Sequence, residues 1–396
     1  MNDMGVEKKM LHLQNIAFEN LEKYIKNKKL RIIVYGAGMI GKIVIPDLIE
    51  QSGLLEYLEC YVDADIRKQG TYIRIKDKMI KINSPMILES ISQESILLIT
   101  NSNYRTVLSM LDRIPSLNGM DAIIVPIIQA LEVKNRKHAE KRMLSVVSEE
   151  KIPRIIHYCW FSKKEMPEYL KKCIETWKEK CPGYQIQRWD EDNYDVHKNP
   201  YMKQAYSTQK WGFVPDYARL DILYQYGGFY LDTDVELLQS LDELRGQGAF
   251  CGVEKWGNIN MGGCSGAIKH HPMIGEMLAY RENIPFIYPD GTMNLETCGV
   301  YETAPFIERG MKINNTTQRI NGMTVFSSDF FHPYDYMSGE TIVTDNTISI
   351  HHFNGGWLNE QARRDRIETM ENYKQTLKRM EDVYGEIQNI GHCSDL

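Results

Sequence analysis

Short apolar runs alternate with amphipathic stretches along this chain, in two series separated by a charged connector. Residues 7–27 place Met10, Leu11, Leu13, Ile16, Phe18, Leu21 and Ile25 at spacings near three and four, which predicts one amphipathic helix. Leu30–Tyr35 is a β-rich run that ends in a glycine-rich turn, and a helical pattern continues to about Gln51. Pro46 falls inside that pattern and predicts a kink, because its ring removes an N–H and clashes with the preceding turn. Further apolar runs at Tyr57–Val62, Tyr72–Ile75, Ser95–Thr100 and Ala122–Ile127 are separated by helical stretches such as Tyr104–Arg113. Strands alternating with helices predict a parallel α/β sheet, closing near residue 130.

Leu131–Lys151 is rich in Lys, Arg, Glu and Ser and reads as a helical or loose connector. A second α/β series follows: strand Arg154–Tyr158, helix Pro167–Lys180, strand Tyr184–Trp189, helices near 201–210 and at Pro215–Tyr226, and strand Phe229–Leu231. A late strand is expected over Thr347–Phe353. The segment from Asn359 to Ile387 interleaves Glu, Lys and Arg and reads as a solvated helix. The expected organisation is therefore a first α/β domain over 1–130, a linker over 131–151, a second domain over 152–358 and a charged helical tail over 359–396. This agrees with a length of 396 residues at roughly 150 per domain.

Composition narrows the function classes. At 43% hydrophobic and 25% charged residues, the chain has ordinary globular usage, which excludes wholesale disorder. A net charge of −6 argues against nucleic acid as the main partner. The eight cysteines contain no C-x-x-C pair and read as reduced thiols. The longest near-continuous apolar stretch, about Ala122–Ile128, is far short of the ~20 residues that span a bilayer. With a polar N-terminus lacking a signal-like apolar segment, the expectation is a cytoplasmic protein. Oligomeric state is not legible.

Two stretches carry candidate chemistry. The first is Gly36-x-Gly38-x-x-Gly41, directly after a strand and opening a helix, with Asp63 at the end of the next strand. Such glycines permit a tight turn, close phosphate approach and close helix–strand packing, while the acid sits where a ribose would be held. A nucleotide such as NAD(P) is the ligand this pattern would take. The run Tyr57–Gly70 resembles small nucleotide-binding-like domains attached to bacterial polysaccharide-biosynthesis enzymes. In that setting the loop is either a ligand site or a structural remnant.

The second stretch is Phe213–Asp234. Pro215 suits a helix start, Gly227-Gly228 its end, and Asp216 and Arg219 share a face at i and i+3. Tyr217, Leu220, Leu223 and Tyr224 form the expected buried stripe. Phe229–Leu231 then leads into Asp232-Thr-Asp234, whose carboxylates would project to one side of an extended chain. Paired carboxylates at the end of a parallel strand repel unless a cation joins them, and oxygen ligands suit Mg²⁺ or Mn²⁺.

This stretch resembles the DXD-containing sugar-binding region of glycosyltransferase family 32, whose members include capsular-polysaccharide glycosyltransferases. The resemblance spans roughly residues 152–358 and includes Ile152–Phe161 and Ile350–Trp357. It implies a GT-A-type, Rossmann-like α/β glycosyltransferase domain, here preceded by a smaller Rossmann-like α/β domain. It also implies a divalent metal, usually Mn²⁺, and a nucleotide-sugar donor such as a UDP- or GDP-hexose. The acceptor would be a saccharide or a lipid-linked oligosaccharide met at the inner membrane face, with anomeric configuration retained. By that resemblance Trp160 stacks on the base, with Tyr230 lining the donor site. Asp216 and Arg219 hold sugar hydroxyls, Asp232 contacts ribose or metal-bound water, and Asp234 ligates the metal. His351 lies on the metal side and Trp357 near the diphosphate. The family's Ser-Trp is Gly356-Trp357 here, which removes one hydroxyl.

Other features have bland readings. His157 reads as a core histidine, His270-His271-Pro272 as a turn, and His351 and His352 point to opposite strand faces. Gly262–Gly266 is a weak candidate for a pocket floor. Two competing functions remain: an NAD(P)-dependent sugar-nucleotide oxidoreductase or epimerase, and a non-catalytic scaffold of a polysaccharide-assembly complex. The former needs a helical Tyr-x-x-x-Lys pair near the glycine loop, and Tyr72–Lys76 has the spacing but falls on a predicted strand.

Overall fold

The computed structural model describes residues 10–101, 103–135, 148–335, 337–353, 364 and 367–380. It comprises two compact units, one of residues up to Asn135 together with those from Glu368 onward, the other of the chain between.

The first unit is a seven-stranded sheet in the order His12–Leu13, Asp121–Ile124, Ser95–Ile99, Arg31–Tyr35, Leu58–Val62, Lys78–Asn83, Tyr72–Ile75. All neighbours run parallel except the last two, which form an antiparallel hairpin. The central runs Ile32–Tyr35 and Ser95–Ile99 are buried throughout, as expected for near-continuous apolar strands covered on both faces. Numbered from Arg31–Tyr35, the five central strands lie in the order 3-2-1-4-5, a Rossmann-like arrangement.

Four details differ from the sequence expectations. The helix expected over 7–27 is confined to Phe18–Lys28, because Leu11 and Leu13 alternate with exposed His12 and add an edge strand. Tyr72–Ile75 joins an antiparallel hairpin whose second strand, Lys78–Asn83, was not foreseen. Ala122–Ile127 divides between the strand Asp121–Ile124 and a helix Val125–Asn135. Pro46 falls in the first turn of helix Ile45–Gln51, into which a π-helical turn Ile40–Val44 runs directly, so the helical bonding pattern changes at the proline. In the charged C-terminal stretch, residues 367–380 are helical and bury Tyr373, Thr376 and Met380. Arg379 forms a two-pronged pair with Asp112 at 2.9 and 3.0 Å, and Arg105 pairs with Glu368. That helix is thus packed on the first unit rather than fully solvated.

The second unit is a mixed sheet ordered Gln318–Ile320, Met323–Phe326, Ala249–Val253, Ser265–Ala267, Gly228–Tyr230, Ile155–Cys159, Gln185–Trp189. A short strand, Ile259–Asn260, pairs with Ala249–Val253. Gly228–Tyr230 runs parallel to Ile155–Cys159 and antiparallel to Ser265–Ala267. Phe229 enters one core with Trp177, Phe250 and Phe331, while Tyr230 enters the other with Tyr201, Leu220 and Phe306. This is the α/β, Rossmann-like layout expected for the domain. A separate ribbon pairs Val235–Leu237 with Ser349–His351. The seven described cysteines are all unpaired. Among the described residues, no helix is long and apolar enough to cross a membrane.

The glycine loop offers a sharp packing test. A Cβ on Gly41 would sit 2.0 Å from the Gly36 carbonyl oxygen, whereas one on Gly38 would meet nothing within 4 Å. Gly41→Ala is expected to destabilise the first unit by ~2 kcal/mol or more, and Gly38→Ala by under about 0.5 kcal/mol, as read by urea unfolding.

Candidate functional site

The helix Pro215–Tyr226 is buried from Asp216 through Leu223, wider than an amphipathic stripe. Its three ionic residues therefore need partners inside the protein, and Asp221 finds Tyr194 and Lys198. Asp216 and Arg219 are 4% and 3% exposed and pair with each other at 3.2 Å. Asp216 Oδ2 also accepts from Arg281 at 2.9 Å and from the Tyr201 hydroxyl at 3.3 Å. Arg281 is itself flanked by the rings of Tyr201 and Tyr301, at 4.2 and 4.6 Å from their centroids. Arg219 reaches Glu302 Oε1 at 3.3 Å and Asp232 Oδ1 at 3.5 Å.

Burial pushes Asp216 up from the usual carboxylate range, with Arg219 and Arg281 opposing. Burial likewise opposes the charge on Arg219, but Asp232 and Glu302 outweigh it and raise the guanidinium further above its ordinary value. Burial raises Glu302 to about 7 against the pull of Arg219.

Gly227, at φ +66°, ends the helix, and Gly228–Tyr230 carries the chain to the acidic motif. Asp232 and Asp234 then lie on a turn closed by Val235 N–H donating to the Asp232 carbonyl at 3.1 Å, not on an extended strand. Strand alternation therefore does not aim them, and the two carboxylates take different partners. Asp232 Oδ1 accepts from the Tyr230 hydroxyl at 3.0 Å and faces Arg219. Asp234 Oδ1 lies 3.3 Å from His351 Nε2. The ribbon makes this second pairing, because it sets Val235 opposite His351 and His352 N–H on the Asp234 carbonyl. Burial works to lower the His351 imidazole, but Asp234, with Asp232 and Glu254 behind it, raises it overall. Phe353 stacks on the His351 ring at 4.0 Å.

The Asn260–Gly263 loop forms the facing wall. Gly262 accepts the Asp232 N–H at 2.8 Å, and a Cβ on Gly262 would sit 2.0 Å from Asp232 Oδ2, so only glycine fits. Asn260 Oδ1 accepts from Gly262 and Gly263 N–H at 2.8 and 3.1 Å.

The structure thus brings together Asp216, Arg219, Tyr230 and Asp232, and separately Asp234 and His351. Trp160 lies at the carboxyl end of Ile155–Cys159, half-buried, with its indole N–H on the Lys164 carbonyl. Trp357 lies outside the described residues. His352 is directed to Glu236 at 2.9 Å, away from the Asp234 pairing. His271 accepts from Met273 N–H as a helix cap. Glu302, Arg281, Tyr201 and Asn260 were not foreseen, since their partners lie up to 83 residues away and leave no local spacing signal.

In the first unit, Gly36 adopts φ +106° and Asp63 meets the glycine loop as its position predicts. Its carboxylate accepts from Ala37 N–H at 2.7 Å and Asp65 N–H at 2.8 Å, and pairs with Lys68 at 3.2 Å. Asp63 therefore braces the loop, and the oxygens an NAD(P) ribose would use already have partners. Tyr72 and Lys76 lie on a hairpin and its turn, so they share no helix face.

Residues 167–251 match the family described as a glycosyltransferase sugar-binding region containing a DXD motif. The chain is 30% identical over 112 residues to inositol phosphoceramide mannosyltransferase 1 of Schizosaccharomyces pombe, covering 26% of this chain and 34% of that relative. It is 27% identical over 191 residues to an uncharacterized glycosyltransferase, L373, of Acanthamoeba polyphaga mimivirus, covering 46% and 73% respectively. The chain thus spans about a third of the yeast relative's length. A solved structure, PaToxG glycosyltransferase, aligns at 18% identity and a TM-score of 0.33, covering 46% of this chain and 79% of that one.

His157, on the strand beside Gly228–Tyr230, supplies a stability test. It is 2% exposed, its Nε2 meets the Gly227 carbonyl at 2.9 Å, and Trp189 donates to its Nδ1 at 3.1 Å. Burial lowers it to about 4, below its ordinary 6.5, so the unfolded chain takes up a proton first as pH falls. Its contribution is complete above about pH 6.5 and declines by ~3 kcal/mol as pH approaches 4. His157→Gln is expected to flatten that part of the pH–stability curve measured by urea unfolding.

Proposed function

We propose that the second unit is a metal-dependent glycosyltransferase that moves a hexose from a nucleoside-diphosphate sugar to an acceptor hydroxyl. The observation that supports this most directly is the split acidic turn, with Asp232 joined to the buried Arg219–Asp216 pair and Asp234 joined to His351. The matched sugar-binding family and the two glycosyltransferase relatives point the same way.

The donor set suits a divalent cation. Asp234 and His351 already bring a carboxylate oxygen and an imidazole nitrogen within 3.3 Å of each other, with Asp232 on the same turn. Among the described residues, no three His, Cys, Asp or Glu side chains form a complete ion cage. A Mn²⁺ or Mg²⁺ held here would therefore draw further ligands from the diphosphate and water, and would neutralise charge on the departing diphosphate. Asp234 and His351 would hold it.

Arg219 and Asp216 orient the sugar. Asp216 Oδ2 is filled by Arg281 and Tyr201, whereas Oδ1, which accepts from Arg219, retains a lone pair for a sugar hydroxyl. The fixed guanidinium supplies donors whose orientation needs no rearrangement when sugar arrives. Asp232, anchored by Tyr230 and Gly262, takes ribose or a metal-bound water, and Trp160 offers its indole face to the base. The acceptor is a saccharide or lipid-linked saccharide hydroxyl, in polysaccharide assembly at the cytoplasmic membrane face, and configuration is retained.

The decisive experiment measures Mn²⁺-dependent hydrolysis of UDP- and GDP-hexoses without acceptor. Asp234→Asn and chelation of the metal should each lower turnover at least about 100-fold, the scale of a lost transition-state charge contact. Turnover of the Asn variant near that of the unaltered protein would overturn the proposal.

A further inference from the structure

Glu302 lies on the helix Cys298–Glu308, is 3% exposed, and uses its two oxygens for two different tasks. Oε1 meets Arg219 Nη1 at 3.3 Å, while Oε2 accepts from Met261 N–H at 2.9 Å. Its neighbour Thr303 accepts from Ile259 N–H at 2.9 Å. Consecutive side chains of one helix thus hold the alternate N–H groups of residues 259 and 261, as a neighbouring strand would. The chain of bonds continues. Asn260 Oδ1 fixes the N–H groups of Gly262 and Gly263, and the Gly262 carbonyl receives the Asp232 N–H.

We infer that Glu302 is a positioning residue for sugar recognition, a single buried carboxylate that sets both the Arg219 guanidinium and the Asn260–Gly263 loop against Asp232. This inference rests on the reading of Arg219 and Asp216 as the sugar-holding groups. Fold stability alone gives little reason for a carboxylate at this position. Burial disfavours its charge, and well-packed apolar replacements of buried ion pairs are often neutral or stabilising. What a carboxylate adds is direction. One oxygen fixes the guanidinium on the side away from Asp216, and the other fixes the loop that carries Gly262.

The test compares Glu302→Gln with Glu302→Ala in the full-length protein. Two readouts are taken. One is calorimetric affinity with Mn²⁺ for UDP-glucose, UDP-galactose and GDP-mannose, each against its bare nucleoside diphosphate. The other is amide hydrogen exchange of the peptide covering residues 259–263. The Gln variant keeps an acceptor for Met261 but loses the charge facing Arg219. Its preference for nucleotide sugar over diphosphate should fall about tenfold or more, with loop exchange nearly unchanged. The Ala variant should lose the preference and also raise loop exchange about tenfold or more. Where that variant does not fold, the Gln variant decides alone.

An unchanged sugar preference in Glu302→Gln, or unchanged loop exchange in a folded Glu302→Ala, overturns the assignment. Should the unaltered protein prefer none of the three sugars over its diphosphate, the glycosyltransferase reading fails. The exchange result then judges by itself whether Glu302 sets the loop.

Discussion

An arginine side chain that is only 4% exposed demands counter-charge from several directions, and the interior of the second unit is arranged around meeting that demand for Arg219. Asp216 comes from the same helix, Asp232 from the turn after the next strand, and Glu302 from a helix 83 residues further on. Asp216 in turn recruits Arg281, whose charge lies between two tyrosine rings. Such a cluster contributes little net stability, because desolvation offsets most of the attraction. Its consequence is geometric: the helices Pro200–Ser207, Pro215–Tyr226, Pro272–Glu282 and Cys298–Glu308 each contribute a group to one network. Shifting any of the last three leaves a buried charge without its partner, and shifting the first removes a hydrogen bond from Asp216.

The local parts of this arrangement were legible in sequence. Helix, Gly-Gly, strand and acidic turn are consecutive, and each boundary carries its own residue chemistry: Pro215 at the start, Gly227 at the end, a β-rich run between. The pairing of Asp216 with Arg219 follows from i,i+3 spacing. The closure of the network was not legible, because Glu302 and Arg281 lie on helices whose charges read like any solvated face. The direction of Asp232 and Asp234 was misjudged for a related reason. Alternation predicts side-chain direction only while the chain stays extended, and here it turns at once. In the first unit, Lys78–Asn83 did carry a period-two pattern, with Ile80 and Ile82 buried between exposed Lys78, Met79 and Lys81.

The turn also explains how two adjacent carboxylates persist near a core. Each has a separate partner, the Arg219 guanidinium for Asp232 and the His351 imidazole for Asp234, so the two carboxylates are drawn to different sides. That separation divides the proposed work as well, with sugar orientation on the Arg219 side and cation binding on the His351 side.

Gly262 keeps the two sides in register. Its carbonyl holds the Asp232 backbone, and its missing side chain leaves the space the Asp232 carboxylate occupies. Any Cβ there would push that carboxylate from Tyr230 and Arg219, and the same turn carries Asp234. A displacement of Asp232 would therefore be felt at the Asp234–His351 pair two residues later. The wall bearing Gly262 is in turn fixed by Asn260 and by the paired acceptors Glu302 and Thr303. The Arg219 cluster, the acidic turn and the Asp234–His351 pair are thus tied through one short loop, which accounts for a buried carboxylate being spent on a backbone N–H.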